Sequence, residues 1–423
     1  MHQEDRRLEN SSQPKSHTIL REGPLLAVLA VVQFTTMLDF LIMMPLGPQY
    51  MRVFDINPAQ FGTIVSAYAI CAGIAGLISG TFLDRFDRRH SLLVLYTGFG
   101  LATLACALAP GYMSLTAARG LAGAFGGVSN AVILAIIGDV IPEQRRGRAM
   151  GIVMSSFSVA SVLGVPIGLY LANTFSWHAP FFMLAAVSAV VLAAQWFLVP
   201  HISARSSETH AAPIAHLIQI ISGPGHLRAF AFIGIVVLTG FLVIPYISPY
   251  MVLNVGLLET ELPYIYLAGG LCTIFSMNII GRLADRFGKR LLFTIMAICA
   301  AASTLLLTNL PRVGTPLAIT ATTLFMICMS GRFVPAMAIM TSAVEQRLRG
   351  GFMSVCSAVQ HISSGLGSYI GGLILVETNT GRLHGYNTIG YLSAALAIFS
   401  LVLCYKLAPP ASEPAAELLQ PTV

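Results

Sequence analysis

The feature that most limits what this chain can become is a series of apolar stretches, each about 20 residues long, separated by short polar turns. A helix of that length crosses the hydrocarbon core of a bilayer, whereas a membrane β-barrel shows shorter segments of alternating character. Charged residues make up 10% of the chain, against about a quarter in soluble domains, and mean hydropathy is +0.77. An all-α membrane protein is therefore expected, with lipid around it. Twelve spans are predicted, at 25–47, 59–80, 92–109, 114–138, 148–172, 179–199, 228–254, 261–283, 290–309, 316–343, 351–375 and 388–407. A polar segment rich in Ser, His and Pro divides them, giving an N-tail (1–24), a six-helix bundle (25–199), a linker (200–227), a second bundle (228–407) and a C-tail (408–423).

The basic residues orient the spans. With both termini in the cytoplasm, 19 of the 24 Lys and Arg fall on the cytoplasmic side, and only Arg52, Arg312 and Arg382 on the outer side. That is the positive-inside pattern of a multi-pass protein of the inner (plasma) membrane. It accounts for the net charge of +6 without nucleic acid as a partner.

One acid lies deep in an apolar run. Asp39 falls about 12 Å below the outer end of the first span, and Arg119 about 8 Å below the outer end of the fourth. Two charges in one layer invite a pair that is exchanged for a proton, because a nearby arginine favours the charged carboxylate and its withdrawal favours the protonated one. The bland alternatives are a structural hydrogen-bonded acid and an arginine that snorkels to the interface or pins helices together. In the second half Arg332 lies near the middle of the tenth span and His361 near the middle of the eleventh, neither with an acid of its own half to meet. Both are candidate contacts to a polar or anionic solute. The alternatives are an arginine bonded to backbone carbonyls near Pro335 and a neutral interhelical histidine. Phe34, Met43, Met44, Tyr68, Tyr246, Tyr250 and Phe333 are candidates for an adaptable pocket, or simply face core or lipid.

The halves repeat at a spacing of about 200 residues, which marks a structural duplication. Gly80-Thr-Phe-Leu-Asp84-Arg85-Phe-Asp87-Arg88-Arg89 follows the second span, and Gly281-Arg-Leu-Ala-Asp285-Arg286-Phe-Gly288-Lys289-Arg290 the eighth. Glu143-Gln-Arg145 returns as Glu345-Gln-Arg347, and Gly164 and Gly168 return as Gly367 and Gly371. Leu115-x3-Arg119-x3-Gly123, Leu38-Asp39-x5-Leu46-x-Pro48 and Gly164-Val-Pro166-Ile-Gly168 complete the set. Across about 25–407 the chain resembles the major facilitator superfamily, in particular its twelve-helix drug:proton antiporter branch with sugar-efflux relatives. The second loop copy carries the family's G-x-L-x-D-R-x-G-R/K-R in full. The first departs from it at Phe82 and Asp87. The resemblance implies two pseudo-symmetric bundles around one cavity, and a cytoplasmic gate at Asp84, Arg85, Arg88, Asp139, Asp285 and Arg286. Gly123, Gly164, Pro166 and Gly168 read first as close helix packing; a hinge or a seal against proton leak is what the resemblance adds.

No P-loop, HExxH, CxxC or Gly-x-Ser-x-Gly is found, and the seven cysteines all lie in or at the ends of apolar stretches. No enzyme activity, cofactor or metal is expected. No cleavable signal is expected in the N-terminal stretch, since the first apolar run is long enough to span and stay in the membrane. The expected function is proton-coupled efflux of a small amphipathic or polar molecule by a monomer, a multidrug-type antiporter. The alternatives are a proton-independent facilitator or importer of a sugar or organic anion, and a transporter-like receptor.

Overall fold

Long apolar runs bounded by helix-ending residues become long helices, because lipid offers the backbone no hydrogen bonds of its own. The computed structural model describes residues 22–80, 86–199, 220–342, 344 and 348–407. Among these, eleven helices are long and apolar enough to cross a membrane. They are α1 (Glu22–Ile42), α2 (Pro58–Ser79), α3 (Arg88–Ala107), α4 (Tyr112–Val140), α5 (Glu143–Thr174), α6 (Ala179–Leu198), α7 (Gly225–Val255), α8 (Glu259–Phe287), α9 (Lys289–Thr308), α10 (Thr315–Ser342) and α12 (Tyr386–Lys406). A twelfth, α11 (Arg349–Ile374), is 26 residues long and is made less apolar by its serines, Gln360 and His361. A two-stranded hairpin, Val376–Glu377 with Leu383–His384, precedes α12. The strands fall in the loop left between the last two predicted spans, where the sequence carries no strand signal. They are held by the Asn254 side chain, which donates to the Leu383 carbonyl (2.9 Å) and accepts from its N–H (2.8 Å).

The repeat in the sequence is a repeat in packing. α1 lies on α5 and α6, α3 on α4 and α6, and α2 on α4; α7, α8, α9, α10, α11 and α12 repeat these contacts. The halves meet along α2–α11 and α5–α8. Small residues permit the approach. A side chain at Gly123 or Gly127 of α4 would run into the α2 backbone at Tyr68 or Ala72, and one at Gly367 of α11 into α7 at Leu238 to Leu242.

The two loop copies end differently for a local reason. Gly288 has φ +94°, which suits glycine, before α9 begins. Its counterpart Asp87 keeps φ −56° and caps α3, accepting from the His90 N–H at 2.9 Å. The departure from the family pattern at Asp87 is thus a helix cap.

Three helices are irregular where the halves face each other. After α1 the chain turns through 43–46 and resumes as a seven-residue helix, Gly47–Val53. α7 tightens to a 3-10 turn at Ile244–Tyr246. α5 carries a π turn at Ala160–Gly164 just before Pro166, which has no N–H to continue the regular ladder. The apolar core is also uneven. At the Tyr50 end one cluster runs through both halves, taking in Leu46, Tyr50 and Phe61 with Tyr246, Tyr250 and Tyr386. At the Glu22 end the described residues form two buried cores, one around Leu29, Phe99 and Ile133, the other around Phe232, Phe293 and Phe352, with Leu77 of α2 packed against the second. The protein is held shut at one end.

Gly123→Val should lower the melting temperature of the detergent-purified protein by the equivalent of about 1–3 kcal/mol, the usual cost of overpacking. Gly76→Ala, with nothing within 4 Å of the added carbon, should leave it unchanged or slightly higher.

Candidate functional site

The first four helices converge on one ion pair. Arg119 of α4 donates from Nη1 to Asp39 Oδ2 of α1 at 2.6 Å, and both side chains are 0% exposed. Tyr68 of α2 lays its ring over the guanidinium, 4.5 Å from Cζ to the centroid, while its hydroxyl donates to the Thr36 carbonyl of α1 at 3.3 Å. Thr103 and Cys106 of α3 complete the surround. Glycines set these positions. Gly123, one turn after Arg119, seats α4 on the Tyr68 backbone, and Gly164 and Gly168 of α5 receive Leu38 and Ile42 of α1 on either side of Asp39. A charge pair this deep survives only if each member keeps its partner, since a lone charge there is strongly destabilising.

A cavity of about 150 Å³ lies between the halves. Leu41, Met44 and Pro45 line it from α1 and the turn after it, Phe157, Ser158, Ser161 and Val165 from α5, Ile244 and Ile247 from α7, Tyr266, Gly270, Thr273, Ile274 and Met277 from α8, and Phe325, Met326, Met329 and Ser330 from α10. All three irregular segments contribute to it. Its wall is apolar, with four methionines and a few hydroxyls, and no charged side chain is among the lining residues. Methionines adapt to ligands of varied outline. Asp39 is not in the wall, although Leu41, two residues on, is.

The other candidates lie outside this wall. Arg332 is buried between α10 and α7, donating from Nη2 to the Val236 carbonyl (2.9 Å) and the Thr239 hydroxyl (2.5 Å), and no ion pair joins it among the described residues. His361 packs against Gly73 where α11 meets α2. Tyr246 is buried at the α2–α7–α11 junction, donating to the Ser368 carbonyl and lying edge-on to Phe61. Phe34 packs against the shared core. Of the pocket candidates, Met44 faces the cavity.

The ends differ in their charges. At the Tyr50 end Arg52 grips Glu259 with both Nη atoms (2.6 and 3.2 Å), the Glu259 carbonyl accepts from Asn173 (3.1 Å), and Gln49 donates to Asn173 (2.7 Å). Hydrogen bonding to Glu259 holds the Arg52 guanidinium above its ordinary pKa. This chain of contacts crosses between halves. At the other end Asp84 and Arg85 lie outside the described residues, as do Glu345 and Arg347. Arg88 pairs with Asp139 (3.2 Å), joining α3 to α4, and Arg145 with Glu22 (3.0 Å), joining α5 to α1. Both contacts stay within one half. Asp285 is exposed, and Arg286 leans over the Phe287 ring.

Sequence reasoning placed Asp39 and Arg119 in one layer and missed Tyr50, Thr103 and the hydroxyls of the cavity. A Thr or Ser in an apolar helix gives no sign of what it faces. Besides Met44, the Met326, Met329, Ser330 spacing on α10 was a visible hint of a lining face.

The sequence model described as Major Facilitator Superfamily matches residues 29–311 and, overlapping them, 230–421. The chain is 25% identical to the MFS-type transporter YceJ of Bacillus subtilis, covering 85% of this chain and 92% of the relative. It is 21% identical to a "Probable sugar efflux transporter" of Helicobacter pylori, over 83% and 86%. In fold it is similar to a D-xylose-proton symporter (TM-score 0.75, 16% identity, 92% and 98% covered). It is also similar to an inward-facing bacterial homolog of the lysosomal transporter Spinster (0.73, 15%, 93% and 96%).

Arg119→Leu should destabilise the purified protein by about 3–5 kcal/mol, because it strands a buried carboxylate. Thermal unfolding of Asp39→Leu/Arg119→Met should recover most of that loss. Arg52→Ala should cost no more than about 1 kcal/mol, since that arginine is solvated.

Proposed function

This chain belongs to the major facilitator superfamily and is a transmembrane transporter, and from that premise we propose that it exports a small amphipathic molecule in exchange for protons. The site lies in the inner (plasma) membrane, with both termini cytoplasmic, as the distribution of Lys and Arg favours. The Tyr50 end then faces outward, and the shared core and the Arg52–Glu259 contact support an inward-facing, outwardly closed reading.

One observation carries the reading: the acid of a fully buried acid–base pair sits on α1, two residues from Leu41 in the cavity wall. A proton added to Asp39 neutralises the carboxylate, and Arg119 loses its charge partner. α1 is then held to α4 more weakly, and the turn at 43–46 lets its outer part tilt. That tilt moves Met44 and Pro45 in the cavity and loosens the shared core at the Tyr50 end. Loss of the pair therefore stabilises the outward-open state, where the solute leaves and the proton binds from outside. The protonated, solute-free carrier then turns inward, and release of the proton to the cytoplasm restores the pair. Solute and proton do not compete for one group; they act on opposite sides of α1.

The cavity favours an uncharged or weakly polar solute, because an ion there would lose its water and gain no opposite charge. The sugar-efflux name of one relative agrees with export of a hydroxylated molecule. A second reading, a facilitator with the pair as a structural clamp, draws on the separation of Asp39 from the cavity wall. The experiment that separates them is a candidate-solute panel on inverted vesicles with a luminal pH dye. Wild type should release protons when its solute is added, and Asp39→Asn should bind solute without proton release. Equal proton release from Asp39→Asn would contradict the antiport mechanism, and solute flux without protons in wild type would leave the facilitator.

A further inference from the structure

The contact between Arg119 and Asp39 closes only one of the hydrogen bonds these side chains are built to make. Asp39 Oδ1, Arg119 Nε, Arg119 Nη2 and the buried Tyr50 hydroxyl have no partner, and the Thr103 hydroxyl, though close to the Asp39 carboxyl, makes no well-formed hydrogen bond. The unpartnered carboxyl and guanidinium atoms share one place, at the 2.6 Å contact, and the two hydroxyls belong to neighbouring residues. Thr103 on α3 faces the Asp39 carboxyl, and Tyr50, on the short helix after α1, faces Arg119 from the outwardly closed end. The ring of Tyr68 covers the guanidinium, and the Cys106 thiol stands beside it. Tyr50, Tyr68, Cys106 and Arg119 are thus the titratable groups that face Asp39 from the elements packed around it.

The unmade bonds are of complementary kinds. Arg119 offers two N–H donors, Asp39 one acceptor, and the two hydroxyls can serve as either. A buried water makes about three hydrogen bonds and settles where donors and acceptors converge without meeting. Arg332 supplies the contrast. Its Nε and Nη1 are also without partners, but they are donors alone, with no acid paired to them among the described residues.

We propose that the Asp39–Arg119 pair forms the floor of a buried water site, and that the proton reaches Asp39 through it. At least one water donates to Asp39 Oδ1 and accepts from Arg119 Nη2, and the Thr103 and Tyr50 hydroxyls complete its shell. The proton enters from the Tyr50 side. There Tyr50 leads toward the surface through Trp177 and Phe54, whose rings lie 5.4 and 6.2 Å from it and which form an aromatic plug. On the other side Gly123 and Gly127 bring α4 onto the α2 backbone. The route rests on Asp39 being the proton-binding residue; the water site does not.

Two measurements on the full-length protein test this. In X-ray radiolysis in ¹⁸O-water, side chains beside an ordered buried water take up label although bulk solvent does not reach them. Tyr50, Tyr68 or Cys106 should be labelled well above Tyr246, which is equally buried but away from the pair, and Thr103→Val should reduce that labelling. Labelling of all three at or below the Tyr246 level would overturn the water site. In the vesicle assay, Thr103→Val and Tyr50→Phe remove hydroxyls with little change in shape. They should slow proton exchange by about tenfold or more, in keeping with the loss of a proton-transfer partner, and leave solute binding unchanged. Wild-type exchange rates and pH profile in both variants would overturn the route. If wild type releases no proton with any solute, the antiport reading fails, and the labelling result still decides the water site.

Discussion

A carboxylate and a guanidinium in hydrocarbon can remain charged only together, and much of the first bundle is arranged to keep them so. The pair joins α1 to α4 at 2.6 Å, and three other contacts hold it in register. Gly123 brings α4 against the Tyr68 backbone, Tyr68 covers the guanidinium, and Gly164 and Gly168 receive the α1 residues on either side of Asp39. These glycines and aromatics are therefore more than generic helix packing. They fix how far apart the two charges stand, and through that how firmly α1 is held.

α1 is also the element through which this pair reaches the rest of the molecule. Phe40, next to Asp39, touches Tyr68 on one side (5.3 Å) and Phe241 of α7 on the other (5.8 Å). Leu41, Met44 and Pro45 form part of the cavity wall, and the helix breaks at that point. The same level holds the 3-10 turn of α7 and the π turn of α5. Irregular backbone deep in a membrane protein is tolerated where it lines a cavity or is buried in protein. Here the turn after α1, the 3-10 turn of α7 and the π turn of α5 line one cavity, while a second π turn at Met251–Val255 of α7 lies outside its wall. The shared core closes the Tyr50 end above the cavity, and two buried cores lie below. A charge change at Asp39 thus bears on the seam that must open.

The spans and the repeat were legible because length and hydropathy are properties of the chain itself. The common depth of Asp39 and Arg119 was legible for the same reason, from residue counts and helical rise. What faces what was not. α1, α2 and α10 are apolar on every side, so periodicity has no polar face by which to orient them. Arg332 shows the result: its depth was readable, but nothing in the sequence says that it turns toward Thr239 of α7 and away from the cavity wall. Asp87 shows a subtler limit. In the sequence it stood only as a departure from a family pattern, while locally it is an ordinary N-cap.

The central claim is that the protonation state of Asp39 governs whether the Tyr50 end stays closed. Hydrogen-exchange mass spectrometry in lipid nanodiscs, across pH and corrected for intrinsic exchange rates, addresses it directly through peptides covering 44–56 and 244–259. In wild type, protection of these segments should fall as pH falls. In Asp39→Asn, which carries no charge at that position, protection should be low throughout and insensitive to pH. The same pH-dependent loss of protection in both proteins would contradict the account.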